Sequence, residues 1–252
     1  MKMKAKEEKE ARRLYNYIAE HYHNYRTKVN PEGWFFNEML EMPATLELLG
    51  DVKGKKVLDW GCGSGIYAKL MTKKGAIVKG FDISEEMIKI AKRENPQLDL
   101  RIGSGLKIPF KEKFDIVIAS LALHYLNNWN KALKEVSRVL KRGGFFIFSS
   151  GNPVEESHKS VKCGKKKFHI LDNYFTERKI YGTWRNIRDK KIAVLAYHKT
   201  YETIINTILR SGFEIVDYKD CYPIKKSKRL FPEFYDEYTR IPFFCVWKVR
   251  KK

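Results

Sequence analysis

The run Val57-Leu58-Asp59-Trp60-Gly61-Cys62-Gly63-Ser64-Gly65 carries the clearest chemical signal in this chain of 252 residues. Its glycines alternate directly after an apolar stretch, so the backbone can turn sharply and approach a ligand without side-chain clashes. A predicted helix follows the loop, and its first N–H groups point toward whatever is bound there. Asp59 adds a carboxylate at the strand tip, which would repel a pyrophosphate and attract an ammonium or sulfonium group.

A second acidic residue, Asp82, ends the next apolar stretch, 21 residues after Gly61. A carboxylate there can accept hydrogen bonds from both hydroxyls of a ribose. The glycine spacing is GxGxG, whereas dinucleotide folds use GxGxxG. The position of Asp82 does not distinguish this pattern from a dinucleotide fold, because NAD-binding folds have an acidic residue at the same distance. The competing interpretation is a set of turn glycines and a helix-capping Asp with no ligand.

A parallel sheet is needed to position these residues, and the chain alternates between strands and helices accordingly. The predicted strands are Lys56–Trp60, Ile77–Asp82, Leu98–Ile102, Phe114–Ser120, Gly144–Ser150, Phe213–Tyr218 and Phe243–Arg250. The predicted helices are Lys6–Arg26, Pro43–Leu49, Ile66–Lys74, the segment from the Ser84 cap to Glu94, Trp129–Leu140 and Thr200–Ser211. This alternation predicts an α/β fold with a mostly parallel sheet covered on both faces.

The same pattern predicts three segments: an N-terminal helical flap (1–49), an α/β domain (50–252) and an insertion within that domain (151–191). The insertion has 11 basic and 5 acidic residues. Its aromatic residues are Phe168, Tyr174, Phe175, Tyr181 and Trp184. Such a mixture suits stacking on a planar acceptor or on nucleic-acid bases, but we favour a lid with a small apolar core. The basic run 225–229 is predicted to be a solvated loop.

The charge of the chain is concentrated in its second half. Residues 127–252 carry 28 basic and 13 acidic residues, which gives +15 of the total +20. An anionic partner would be met there, although a genome-wide bias toward lysine accounts for the excess equally well.

No targeting signal or metal site is expected. The charged start leads into no apolar region, and the longest apolar stretch, Ile116–Leu123, is too short to span a bilayer. We therefore expect a cytoplasmic protein that does not bind membranes. The four cysteines lack CxxC spacing, and His158, Cys163 and His169 fit no common zinc site.

Taken together, five segments of the chain resemble one family, the class I S-adenosylmethionine-dependent methyltransferases, and especially their type 11, small-molecule group. The segments are VLDWGCGSG (57–65), GFDIS (80–84), KIPFKEKFDIVIASLALHYL (107–126), ALKEVSRVLKRGGFFIF (132–148) and GFEIVDY (212–218). The resemblance implies a Rossmann-like sheet of seven strands in the order 3-2-1-4-5-7-6, with the last strand antiparallel. It also implies S-adenosylmethionine as cofactor and S-adenosylhomocysteine as product.

The resemblance further implies roles for individual residues in binding the cofactor. Gly61, Gly63 and Gly65 would pack on its methionine and ribose parts, Asp59 would meet its amino end, Asp82 its ribose hydroxyls and Ile83 its adenine. Ser120 and Leu121 would contact the methionine part, and Tyr22 would close over the site. Relatives commonly have Gly-Asp-Ala where this chain has Gly103-Ser104-Gly105. Ser104 would bind the adenine amino group more weakly than an Asp, and the backbone at Gly105 and Leu106 would contribute more.

Methyl transfer of this kind is an in-line displacement, in which the protein mainly aligns the acceptor and excludes water. A general base is needed only for a hydroxyl or protonated amine acceptor. The candidates are His124, near the fourth strand, and His198, after the insertion; both are equally well explained as buried hydrogen-bonding residues. The leading hypothesis is therefore a methyltransferase with a small-molecule acceptor. The alternatives are a tRNA or RNA methyltransferase that uses the same cofactor site, and a protein that binds the cofactor without catalysis.

Overall fold

The computed structural model describes residues 6–30, 33–164, 166–187 and 190–252, with side chains for all of these except 6–7, 166, 183–187 and 190–191. The strands are β1 (Lys56–Trp60), β2 (Ile77–Asp82), β3 (Asp99–Ile102), β4 (Phe114–Ala119), β5 (Leu140–Gly151), β6 (His158–Cys163), β7 (Lys166–Leu171), β8 (Arg178–Ile187), β9 (Lys190–His198), β10 (Phe213–Asp220) and β11 (Phe244–Lys251). The helices are α1 (Lys6–Thr27), α2 (Met42–Leu49), α3 (Ile66–Lys73), α4 (Glu85–Glu94), α5 (Trp129–Val139), α6 (Tyr201–Arg210), α7 (Lys225–Leu230) and α8 (Pro232–Tyr238). A π-helical segment, Phe35–Glu41, precedes α2.

Seven of these strands form one sheet in the order β3-β2-β1-β4-β5-β11-β10. When only the strands of this sheet are numbered in chain order, this is the order 3-2-1-4-5-7-6 that the family resemblance implies. β1, β2, β3, β4 and β5 pair in parallel, whereas β11 runs antiparallel to both β5 and β10. The predicted Rossmann-like α/β fold, with its last strand antiparallel, is confirmed.

The sheet is covered on both faces because successive side chains of a strand point to opposite sides. In β1, Leu58 belongs to the core under α5 and α6, and its neighbour Val57 to the core under α2 and α3. Both side chains are completely buried. This double burial explains why the central strands show continuous apolar runs and no alternation.

The N-terminal helix α1 lies along α4, next to the carboxyl ends of the central strands. Polar side chains join the two helices: Asn16 donates to Glu85 over 2.9 Å, and Arg93 donates to Glu20 over 2.6 Å. The Ser84 hydroxyl caps α4 by accepting from the Met87 N–H at 3.1 Å, as the sequence predicts. The position of α1 is therefore tied to the helix that directly follows Asp82.

The predicted insertion folds as two antiparallel hairpins, β6–β7 and β8–β9. The side chains of Phe168, Phe175 and Tyr181 are 48%, 87% and 55% exposed. The expectation that they build a small apolar core is therefore wrong: Val194 and Leu195 of β9 are buried instead. The side chain of Trp184 lies outside the described residues.

The basic run 225–229 forms helix α7, so its prediction as a loop is wrong. The small Ser227 is completely buried, and its hydroxyl donates to the Ile224 carbonyl over 2.6 Å. The lysines and the arginine of the run are exposed, as expected. None of the helices within the described ranges is long and apolar enough to cross a membrane.

Candidate active site

The glycine loop after β1 adopts a backbone that favours glycine. Gly61, Gly63 and Gly65 have φ angles of +69°, +51° and +83°, in the region that other residues rarely occupy. A Cβ atom on Gly61 would also lie 2.7 Å from the Cβ of Ala122, across the cleft between β1 and β4. The Gly61 N–H donates to the Phe81 carbonyl over 2.9 Å, so the loop is fixed against β2.

Asp82, at the end of β2, is held by two backbone N–H groups. One carboxylate oxygen accepts from Gly63 over 2.9 Å and the other accepts from Ser84 over 2.8 Å. Burial raises the pKa of Asp82, although both of these bonds oppose the shift. Each oxygen keeps a lone pair for a ligand, and Asp82 lines the cleft. The group is thus a pre-positioned acceptor for two neighbouring hydroxyls.

Asp59 is a buried carboxylate without a complete set of partners. It is 2% exposed, and its Oδ2 atom has no hydrogen-bond partner among the described residues. Burial, reinforced by the nearby charge of Asp82, raises its pKa to about 7. Asp59 lies near the end of β1, just before the glycine loop, and is not part of the cleft wall. A cation at the loop would stabilise its ionised form.

The loop after β3 approaches the cleft through its glycines. Gly103 and Gly105 line the cleft, and a Cβ atom on Gly105 would lie 2.4 Å from the Trp60 ring. Ser104 makes other contacts: its hydroxyl accepts from the Leu106 N–H at 3.0 Å and hydrogen-bonds to the Glu8 carboxylate of α1. The flap therefore brings an acidic side chain to this loop.

At the end of β4, Ser120 and Leu121 line the cleft. Leu121 has a φ of +47°, which is unusual for a residue other than glycine. Its N–H donates to the Ser149 hydroxyl over 2.9 Å, and the Ser120 hydroxyl donates to Glu41 over 3.0 Å. The strained turn is held by side chains from β5 and from the flap.

Three tyrosines close one side of the cleft. Tyr15 and Tyr22 come from α1 and Tyr125 from the turn after β4, and all three line the cleft. The hydroxyl oxygens of Tyr15 and Tyr125 are 2.5 Å apart, and Tyr15 makes edge-to-face contacts with both other rings. Burial, and then the proximity of the other tyrosines, raises the pKa of Tyr15 well above its usual value. The hydroxyls of Tyr15 and Tyr125, whose pKa burial also raises, stay protonated at neutral pH.

The two candidate histidines lie outside the cleft wall. Burial lowers the pKa of His124 to about 4, and its ring packs on Tyr125 with centroids 4.4 Å apart. His198 sits at the base of the second hairpin, with ring nitrogens 3.3 Å from Glu156 Oε2 and 2.8 Å from the Tyr174 carbonyl. Burial opposes protonation of His198, but these two acceptors outweigh it and raise its pKa. A role of either residue as a base stays a prediction.

Together these elements enclose a cleft of about 720 Å³, a volume that includes its open mouth. Of the residues singled out from the sequence, those in its wall are Tyr22, Gly61, Gly63, Asp82, Ile83, Gly105, Ser120 and Leu121. Those outside it are Asp59, Gly65, Ser104, Leu106, His124 and His198. The residues that sequence reasoning missed are Glu8, Ala11, Tyr15, Trp60, Phe81, Gly103, Ala122, Tyr125 and Leu126.

Most of the missed residues neighbour a motif that was identified, as Trp60 neighbours Gly61. Trp60 and Phe81 end β1 and β2, where a crevice is expected to open. Glu8, Ala11 and Tyr15 recur at intervals of three and four along α1, so they share one face of the helix. That periodicity is the signal that could have marked the face of α1 toward the site.

An open parallel sheet, a glycine loop at its carboxyl edge and an acid-terminated second strand together define a class of α/β proteins that bind nucleosides. The comparisons with known proteins narrow this class. Residues 58–148 match the family model of the methyltransferase domain. A crystal structure of an S-adenosylmethionine-dependent methyltransferase from Mesorhizobium loti is 25% identical, with a TM-score of 0.72 over 84% of this chain and 97% of that one. A structure from Listeria monocytogenes assigned to the same class is 31% identical, with a TM-score of 0.73 over 84% and 96%.

Two relatives show how far the similarity extends. An uncharacterized protein of Haemophilus influenzae is 31% identical over 231 residues, which is 85% of this chain and 88% of that protein. A ubiquinone biosynthesis O-methyltransferase of Coxiella burnetii is 36% identical, but over 40% of this chain and 45% of its own length. The chain belongs to the class I S-adenosylmethionine-dependent methyltransferases, in the type 11 group. It is a methyltransferase, and S-adenosylmethionine is its cofactor.

Proposed function

We propose that this methyltransferase transfers the methyl group to a small-molecule acceptor by in-line displacement within the cleft. The observation that carries the proposal is the roof formed by Tyr15, Tyr22 and Tyr125 over the glycine loop. A hydrogen bond between two of these tyrosines closes the roof from the flap to the sheet. Such an enclosure excludes water and admits a ligand of limited size.

The residues of the cleft fit the cofactor chemically. Asp82 has two oxygens fixed by backbone N–H groups and would hold the ribose hydroxyls. Asp59 has an unpartnered buried oxygen and would respond, directly or through water, to the ammonium group. The bare backbone of Gly61 and Gly63 leaves room for the methionine and ribose parts. A Cβ atom on Gly65 would lie 2.5 Å from the Asn95 amide, so its role is packing against α4.

The remaining contacts follow from the order of the strands. Ser120 and Leu121, on the β4 side, would face the methionine part. Ile83 would flank the adenine ring, with Ser104, Gly105 and Leu106 beyond it on the β3 side. Tyr22 would cover the ligand from the flap. The cofactor supplies a methyl carbon that its sulfonium already activates, so the protein has to align the acceptor and keep water away.

The cleft wall favours transfer without a protein base. The pKa values of Tyr15 and Tyr125 are raised by burial, so neither hydroxyl accepts a proton at neutral pH. Asp82 would be occupied by the ribose hydroxyls, and Glu8 lies beside Ser104 at the β3 end of the cleft, away from the methionine part. An acceptor that brings its own nucleophile, such as a neutral amine or a thiolate, needs no base. Full turnover of both His124→Ala and His198→Ala is the result that this mechanism predicts.

The relatives and the lining support a small, partly apolar acceptor. Ala11, Leu126 and the tyrosine rings contribute to the apolar part of the wall, together with Trp60 and Phe81 at the strand ends. The named relatives include a ubiquinone biosynthesis O-methyltransferase and a demethylmenaquinone methyltransferase. Both names refer to quinones, which are small molecules with a planar ring, and tyrosine rings can pack against such a ring.

An RNA acceptor is the other candidate, and the +15 charge of residues 127–252 favours it. Several basic side chains of the hairpins already pair with acids, however: Lys159 with Asp172, Lys167 with Glu237 and Lys179 with Glu10. Those pairs occupy three of the lysines that could contact phosphates, while the net charge of +15 already counts Asp172 and Glu237. Binding of tRNA that persists at about 0.15 M salt would favour RNA, whereas binding that is lost there is non-specific.

Calorimetric titration tests the cofactor part of the proposal. We expect S-adenosylmethionine and S-adenosylhomocysteine to bind with micromolar affinity and NAD not to bind. Asp82→Ala should abolish the binding, whereas Asp51→Ala, an exposed Asp at the opposite edge of the sheet, should leave it unchanged. Equal loss in both variants, or binding of NAD alone, would contradict the proposal. Transfer of a labelled methyl group into metabolite fractions, compared with tRNA, then decides the acceptor class.

A further inference from the structure

We propose that Glu8, on the flap helix α1, is the residue that recognises the adenine amino group of the cofactor. The inference rests on the proposed placement of the cofactor and adds to it a specificity residue from outside the sheet. With this residue the flap would have a second role besides covering the site, which is to distinguish adenine from other nucleobases.

The direction of the cofactor along the sheet follows from the strand order. The strands that border the cleft lie in the order β4-β1-β2-β3. Asp82 on β2 suits the ribose, and the unpartnered carboxylate of Asp59 on β1 suits the ammonium end. The methionine part therefore extends toward β1 and β4. The adenine ring must extend the other way, toward the loop after β3.

At that end of the cleft the wall includes Gly103 and Gly105 of the loop after β3, and Glu8, which is hydrogen-bonded to Ser104 of the same loop. The two glycines offer backbone only, so the carboxylate of Glu8 is the acidic side chain among the described residues of this part of the wall. An exocyclic amino group donates two hydrogen bonds, and a carboxylate is a strong acceptor for them.

The neighbouring serine is already used. The Ser104 hydroxyl accepts from the Leu106 N–H at 3.0 Å, and its single proton goes to the Glu8 carboxylate. An ionised carboxylate has about four acceptor positions, of which Ser104 occupies one. Ser104 thus positions Glu8. The hydrogen-bond acceptor for the adenine amino group is therefore supplied by a residue 96 positions earlier in the chain.

The test compares two ligands in three proteins. The ligands are S-adenosylhomocysteine and its purine analogue, in which a hydrogen atom replaces the amino group and the ring nitrogens are unchanged. The proteins are the unmodified chain, Glu8→Ala and the control Glu10→Ala. Glu10 lies on the same helix and also ties the flap to the body, through Lys179 at 2.9 Å, but it is not part of the cleft wall.

The unmodified chain and Glu10→Ala should prefer the adenosyl ligand by about 10- to 100-fold, as expected for one hydrogen bond to a charged group. In Glu8→Ala the preference should fall to within about threefold. Equal weakening of both ligands in Glu8→Ala would overturn the inference, because Glu8 would then only hold the flap. Unchanged preference would overturn it as well. Failure of the unmodified chain to bind either ligand would instead refute the proposed cofactor site.

Discussion

Glu41 and Ser149 are in direct contact, with 2.5 Å between the serine hydroxyl and Glu41 Oε1, although 108 positions separate them in the chain. The same buried carboxylate accepts from Thr45, Tyr67 and Ser120 over 2.7, 2.9 and 3.0 Å. Glu41 ends the π-helical segment of the flap, and Ser120 lies in the floor of the cleft. One carboxylate thus joins the flap to the ends of β4 and β5.

Removal of this carboxylate should cost much of the stability of the fold. Glu41→Ala leaves four hydroxyls without their acceptor in a buried site, and we expect a loss of about 3–5 kcal/mol in the free energy of unfolding. The control Glu47→Ala removes an exposed pair with Lys219 and should cost less than about 0.5 kcal/mol. Urea denaturation measures both. Similar losses in the two variants would show that the Glu41 cluster adds no more than a surface ion pair does.

Asp59 should make both stability and cofactor affinity depend on pH. The pKa of Asp59 is about 7 in the folded chain, whereas an ordinary Asp has a pKa of 3.8. Between these two pH values the folded chain therefore binds one more proton than the unfolded chain. Stability should therefore fall as the pH rises through this range, by on the order of 2–4 kcal/mol. Cofactor affinity should rise over the same range, because the ammonium group favours the ionised carboxylate.

Asp59→Asn tests both trends at once. Urea denaturation and calorimetric titration at about pH 5 and about pH 8 should show that the Asn variant lacks this fall in stability and this rise in affinity. Its affinity should be below that of the unmodified chain at the higher pH. If the two proteins follow parallel curves in both measurements, Asp59 does not titrate in this range.

Comparison of alanine variants at Gly61 and Gly143 separates the cost of backbone strain from the cost of a steric clash. Both glycines have positive φ angles, +69° and +73°, but a Cβ atom would meet Ala122 at Gly61 and nothing within 4 Å at Gly143. Gly143→Ala should cost about 1 kcal/mol of stability and leave cofactor affinity unchanged. Gly61→Ala should lose more stability than Gly143→Ala. It should also weaken cofactor binding at least tenfold, because Ala122 in the cleft wall has to move. Denaturation and titration of the pair check this, and equal affinities would refute the argument.

Tyr15→Phe should loosen the flap without changing the chemistry. The variant removes the hydrogen bond to the Tyr125 hydroxyl, which is worth about 1 kcal/mol and corresponds to about fivefold more frequent opening. Amide hydrogen exchange of α1 should speed up by that factor, while exchange in α5, which packs on the other side of the sheet core, stays the same. The pH profile of turnover should also stay unchanged, since the Tyr15 hydroxyl is protonated throughout. A shifted profile would mean that Tyr15 handles a proton.

The features that the sequence determined by itself are those set by neighbouring residues. Alternating glycines after an apolar run specify the turn after β1, and Ser84 specifies the start of α4 through its cap. The apolar runs at intervals of a βαβ unit specify the parallel sheet. Each follows from local backbone sterics or periodicity, so Gly61, Asp82 and Ser120 could be assigned to the edge of the sheet before any contact was known.

The tertiary structure decided which residues from distant segments meet at that edge. Glu8 reaches Ser104 because α1 packs along α4, and Tyr15 reaches Tyr125 for the same reason. The hairpins of the insertion expose aromatic residues that the sequence suggested as a core, and the buried apolar side chains there are Val194 and Leu195 of β9. The sequence shows that α1 has one face suited to packing, but only the assembled fold fixes the partner of that face, because side-chain contacts over such separations depend on the packing of whole elements.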